Sequence, residues 1–153
     1  MAEAKEQAGA ADETEICRLL KGYFSAADRR DAAAFVECFT DDAVLTADVG
    51  HSVSVVGHEG IAAMFDRLAA TFQSSCHVTG SVHVGLDGDE ARSDTFAVAY
   101  ISVSGGLASD RVLIRGLRYR DDLVRTERGW RIAVRRHRVL WQVDAEACAP
   151  HLP

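Results

Sequence analysis

No apolar run in this 153-residue chain approaches the roughly 20 residues that a membrane-crossing helix needs. The opening stretch has no basic start followed by an apolar core, so no secretion signal is read there. Residues 1–12 are acidic and alanine-rich and read as a short disordered lead-in. None of the four cysteines, Cys17, Cys38, Cys76 and Cys148, lies in a CxxC arrangement. Without a secretory context, reduced thiols in the cytoplasm are the expectation. There is no Gly-rich phosphate loop, no HExxH, no EF-hand pattern and no GxSxG elbow. The sequence therefore implies no cofactor and no metal.

What is present fits one globular domain: 48% hydrophobic and 26% charged residues, in a chain long enough to bury a core. The net charge of −6 is unevenly spread. Residues 110–138 hold ten Arg and four acids, while the remainder is strongly acidic. No aromatic interleaving accompanies these Arg, so nucleic-acid binding is not implied. They read instead as the solvent face of two paired strands, meeting acids from elsewhere. Asp121 and Asp122 lie among them as salt-bridge partners.

The first half reads as helical. Ile16, Leu19, Leu20, Tyr23, Phe24 and Ala27 follow i, i+3, i+4 spacing, one buried stripe of a helix. Asp31 has the place of an N-cap for a short second helix carrying Phe35, Val36 and Phe39. Residues 43–49 lean to strand and 50–57 to loop. A third helix spans about 58–72, with Ile61, Met64, Phe65 and Leu68 on one side.

The second half reads as strands over 76–86, 91–103, 112–126 and 130–143, joined in part by the turns Asp87-Gly88-Asp89 and Glu127-Arg128-Gly129. In the last strand Trp130, Ile132 and Val134 share one parity, and Val139, Trp141 and Val143 share the other. A bulge among Arg135 to Arg138 would reconcile them. Helices followed by strands give an α+β domain. The expected form is a cone: a curved antiparallel sheet wrapped around the N-terminal helices, with the ligand site at its mouth.

Three residues stand out chemically. Asp28 sits at the edge of the first helix's apolar stripe, where it is either a solvated boundary carboxylate or a functional one. His77 opens the first long strand and shares a parity with Thr79, Ser81 and His83. That polar face either meets water or lines a cavity. Tyr23 is mid-stripe, and its hydroxyl needs a partner. Cys76 and His77 are adjacent and point to opposite sides of a strand, which argues against their forming a nucleophile pair. Asp48 follows the first strand, where it either caps a surface turn or projects into the cone mouth. Tyr100 resembles Tyr23 in its need. Phe24, Phe65, Phe96 and Trp141 supply the apolar lining expected for a cone.

The runs Tyr23–Asp31, Phe39–Val44, Gly57–Ile61, Cys76–Val78 and Tyr119–Arg125, with Gly129–Ile132, resemble the SnoaL-like branch of the nuclear transport factor two superfamily. The resemblance covers about residues 13–144, leaving 145–153 as a C-terminal tail. It implies the cystatin-like α+β barrel and a family that includes scytalone dehydratase, ketosteroid isomerase, polyketide cyclases and non-catalytic members. By resemblance to scytalone dehydratase, Asp28 and His77 are pocket residues, while the second pocket histidine falls near Tyr100 or Ile101. By resemblance to ketosteroid isomerase, Tyr23 takes the oxyanion-hole position and the basic aspartate falls at Ala47, one place before Asp48. The resemblance further implies a homodimer through the outer sheet face.

The activity expected is cofactor-independent acid/base catalysis on a hydrophobic, cyclic, polyketide- or terpenoid-like molecule in secondary metabolism. Dehydration or cyclisation leads, with isomerisation or a non-catalytic binding role as alternatives. Asp28, His77 and Tyr23 are the candidate catalytic residues. Phe24, Asp48, Phe65, Phe96, Tyr100 and Trp141 are the candidate substrate-binding residues.

Overall fold

The computed structural model describes residues 2–103 and 110–147, with side chains from residue 7 onward. Cys148 lies outside the described residues. Helix α1 runs Ala2–Arg29. The segment expected to be a disordered lead-in is thus helical from residue 2. Alanine, glutamate, glutamine and lysine rank high in helix propensity, and tertiary contacts fix the helix further along. Asp12 lies 2.6 Å from Arg125 and accepts from the Trp130 indole N–H at 3.3 Å, and Glu15 accepts from the Trp130 amide at 3.0 Å.

Helix α2, Ala32–Val36, is capped by Asp31, whose carboxylate accepts from the Ala34 amide at 3.0 Å. Helix α3 spans Gly57–Thr71.

Six strands follow in chain order, with the helices interleaved: β1 Phe39–Asp48, β2 Ser52–Val56, β3 Ser74–Asp87, β4 Glu90–Val103, β5 Arg111–Thr126 and β6 Gly129–Glu146. They form one sheet ordered β2-β1-β6-β5-β4-β3. Three expectations change here. The stretch read as a loop contains β2. The tail from 145 begins as strand, because Ala145 and Glu146 still pair with Val112 and Arg111. The sheet is not wholly antiparallel: β1 and β6 run parallel, Leu45 beside Arg135 and Ala47 beside His137. A parallel pair needs a long connection, and α3 with β3–β5 supplies it. The curved sheet is also open, with β2 and β3 as edges.

Alternation decides which side chains meet the helices. In β4, Ala91, Ser93, Thr95, Ala97, Ala99 and Ile101 are buried beneath them, while Asp94, Phe96, Val98 and Tyr100 take the outer face. The parity is as the sequence shows it, but the bulky set is on the opposite side from that expected. The helices bring Ile16, Leu20, Tyr23 and Phe24 into the interior, so small strand residues suffice to fill the remaining space. Two register shifts interrupt the β5–β6 ladder, leaving Ala133 and Leu140 as extra residues, outside the 135–138 stretch where a bulge was expected. Between them Arg135, His137 and Val139 face inward.

Arg135 and Asp121 form an ion pair with both side chains fully buried. Nε and Nη2 of Arg135 donate to the two carboxylate oxygens at 2.8 and 2.7 Å, and Ser93 donates to the same carboxylate at 3.2 Å. The guanidinium lies 4.0 Å from the Tyr23 ring centre and 4.8 Å from that of Tyr119. Removing one partner of such a pair strands the other charge in a dry core. Arg135→Met is expected to cost about 3–5 kcal/mol in urea unfolding, and the double change with Asp121→Leu to recover most of that loss.

Candidate active site

Asp28 is in the last turn of α1, facing the start of β3. One carboxylate accepts three hydrogen bonds there. Ser75 Oγ donates to Oδ1 at 2.8 Å, the His77 amide donates to Oδ2 at 2.8 Å, and His77 Nδ1 lies 2.6 Å from Oδ1. Strand alternation makes this possible, because Ser75 and His77 share a face two residues apart. Burial raises the Asp28 pKa, but these bonds to the charged form outweigh it, and the net shift is below the ordinary carboxylate value. An ionised carboxylate only accepts, so Nδ1 carries a proton, and in the neutral ring Nε2 is then left with its lone pair. Phe24 stacks on the imidazole, with centroids 5.2 Å apart and planes at 22°.

Strict alternation would leave Val82 and Val84 on the face opposite His77. A register shift in β3 between Thr79 and Val82 turns the parity, so His77, Thr79, Val82 and Val84 all face the helices. Gly80 permits it: a Cβ there would stand 2.9 Å from the Phe96 carbonyl oxygen.

A mainly apolar cavity of about 190 Å³ opens beside His77. Tyr23, Ala47, Phe65, Tyr119, Arg115 and His137 are among its walls. Burial raises the pKa of both Tyr23 and Tyr119, keeping each a neutral phenol. The sheet presents the polar groups in cross-strand rows. One row is His77, Ala99, Arg115 and Gln142; another is Thr95, Tyr119, His137 and Ala47. Among the described residues no three His, Cys, Asp or Glu side chains gather as a metal-ligand set.

The expected site residues divide. His77, Tyr23 and Phe65 line the cavity, and Asp28 is bonded to His77 without itself being part of the wall. Phe24 backs His77 from behind and is not itself part of the wall. Four others are on the outer face. Asp48 alternates with the inward Ala47 and lies 3.6 Å from Arg138. Phe96 carries the Arg118 guanidinium 5.0 Å above its ring, and Tyr100 is 44% exposed. Trp141, beyond the Leu140 bulge, lies over Gly116 and is half exposed.

His137 was not singled out from the sequence. The second histidine position, expected near Tyr100 or Ile101, holds an inward isoleucine and an outward tyrosine. The second cavity histidine comes from β6 instead. It stacks on Tyr119 at 4.6 Å and 13°, and its buried Nε2 has no hydrogen-bond partner among the described residues. Its shared parity with Val139 was the available signal, obscured by a bulge expected at the wrong place.

Burial first, then the charges of Arg135, His77 and Arg115, push the His137 pKa down to about 3. The unfolded chain therefore takes up a proton below about pH 6.5 that the folded chain refuses until about pH 3. Stability contributed this way falls as pH falls through that window, by up to about 1.4 kcal/mol per pH unit. His137→Gln is expected to flatten that slope in urea unfolding between about pH 7 and about pH 4.5. Parallel wild-type and variant curves would contradict it.

The SnoaL-like domain family matches residues 8–136. An uncharacterised Mycobacterium tuberculosis protein, Rv2910c, is 34% identical over 122 residues, which cover 79% of this chain and 80% of that protein. Among solved structures, a candidate scytalone dehydratase of Novosphingobium aromaticivorans superposes with a TM-score of 0.78 at 15% identity, covering 94% of each chain. Hexachlorocyclohexane dehydrochlorinase LinA-type3 of Novosphingobium barchaimii does so with a TM-score of 0.80 at 13% identity, covering 99% of each. Such identities show a shared fold. With the family match spanning most of its length, this chain belongs to the SnoaL-like domain family.

Proposed function

We propose that this protein is a cofactor-independent acid/base lyase that removes water from a hydrophobic, cyclic, polyketide- or terpenoid-like molecule in secondary metabolism. The observation that carries the reading is His77. Its Nδ1 is held by Asp28 at 2.6 Å, and its ring forms part of the wall of an apolar cavity. An imidazole held this way presents Nε2 as a general base with its orientation already fixed.

The reaction follows from that arrangement. His77 Nε2 takes a proton from the carbon next to a carbonyl, and the C–H electron pair moves into an enolate. The enolate then expels the β-hydroxyl, which leaves with the proton returned by His77. One water is lost, one C=C bond forms, and the imidazole is regenerated. The ionised Asp28 stabilises the transient imidazolium. Tyr23, a neutral phenol in the cavity wall, donates to the developing enolate oxygen.

Two alternatives lose support. An isomerase-type carboxylate base would be at position 47, where the cavity wall holds alanine, and Asp48 points away. A purely structural role for the pair would leave the cone filled, whereas a cavity adjoins His77. The activities named for the two structural neighbours, dehydration and dehydrochlorination, are both eliminations.

The test is incubation with a panel of cyclic β-hydroxyketones, followed by mass spectrometry. The expected product is lighter by one water. His77→Ala is expected to abolish turnover, and Asp28→Asn to lower kcat by about a hundredfold or more, both with unchanged circular dichroism. Full turnover by His77→Ala would overturn the assignment.

A further inference from the structure

Two cations, Arg30 and Arg115, are in the cavity wall, and the elimination uses neither. Of the ten Arg in residues 110–138, eight pair with a carboxylate; Arg115 and Arg131 do not, among the described residues. Arg131 bonds the Trp130 carbonyl outside the cavity. Arg115 is in the cavity wall. Desolvation lowers its pKa, against a smaller opposing effect of Tyr119, and among the described residues no carboxylate pairs with it. A partly desolvated cation without a counter-ion is costly to hold, and it is the kind of group a site keeps for a ligand of opposite charge.

Its surroundings orient it. Nε donates to Gln142 Oε1 at 2.7 Å, and the guanidinium lies 5.6 Å from the centre of the Phe72 ring. Both hold the plane of the group while engaging neither terminal nitrogen. Asp144, on the neighbouring row, is committed to Arg111 at 2.6 Å. Arg30, the other cation of the wall, donates to the carbonyls of Ala69 and Phe72 at the end of α3.

The cross-strand row sets the spacing. His77 on β3 and Arg115 on β5 are separated by one strand, β4, at Ala99. Two strand spacings place their backbones about 10 Å apart, roughly the length of a bicyclic ring system with a substituent. On β4 and β5 the wall also holds the apolar Ile101 and Leu117.

We propose that Arg115 is an anion-binding residue, and that the ligand of this cavity is an apolar ring compound carrying one carboxylate. The carboxylate pairs with the two terminal nitrogens of Arg115, while the ring lies along the apolar wall toward His77. This rests on the reading of the cavity as a substrate site and names the class of substrate. Arg115 fixes the molecule by its acid and leaves proton transfer to His77.

The test is binding, kept apart from turnover. Naphthalene-2-carboxylate and naphthalene-2-carboxamide are matched in shape and differ in charge. Isothermal titration calorimetry of the full chain is expected to show the carboxylate bound at least about tenfold more tightly. Arg115→Gln should remove that preference while leaving amide binding unchanged, and Arg115→Lys should restore part of it. His77→Ala should keep the preference intact, so a failure of the elimination assay does not touch this result. No preference for the carboxylate, including no binding of either probe, overturns the proposal. An equal weakening of both probes in Arg115→Gln does so too.

Discussion

The site depends on one carboxylate. Asp28 accepts from a strand amide, a serine hydroxyl and an imidazole at once, so a single side chain joins the end of α1 to the start of β3. The amide bond satisfies a backbone donor on the sheet's edge strand. The hydroxyl and ring bonds compensate a charge that burial disfavours. The same contacts decide which ring nitrogen faces the cavity. Fold and chemistry meet in this residue, because the bonds that dock the helix also select the tautomer.

Electrostatics within the cone is arranged in layers. Arg135 and Asp121 neutralise one another in the fully buried interior, capped by the faces of Tyr23 and Tyr119. One residue pair along, His137 faces the cavity and is kept uncharged, partly by Arg135. Toward the other rows, Asp28 is ionised beside His77, and Arg115 is positive with no acid partner among the described residues. The wall thus offers two imidazoles, His77 and His137, and two cations, Arg30 and Arg115, within a mainly apolar surface. Such a wall supports the proposed proton transfer on a largely hydrocarbon molecule.

Much of this was legible in the residues. The stripe from Ile16 to Ala27, the Asp31 cap and the four long strands come from short-range patterns, and the structure holds them with small changes at their ends. Asp28 and His77 were found because ionisable groups beside apolar stripes demand partners. Bulges were the main obstacle. Each extra residue reverses the inside and outside of everything beyond it, as at Gly80–Ser81 and Leu140. Trp141 was therefore expected inside and His137 was overlooked. Phe96 and Tyr100 were misplaced for another reason. Bulk alone does not say which face of a strand the helices cover, and here they cover the alanines. The parallel β1–β6 pair joins segments far apart in the chain, and no local pattern encodes it.

The proposed chemistry turns on the proton between Asp28 and His77. Nitrogen-15 correlation spectra of the histidine side chains at neutral pH report the tautomer directly. The prediction is a His77 ring protonated at Nδ1 and bare at Nε2, with the Nδ1 proton shifted far downfield and that signal lost in Asp28→Asn. A ring protonated at Nε2, or one averaging between tautomers as in free solution, would contradict it.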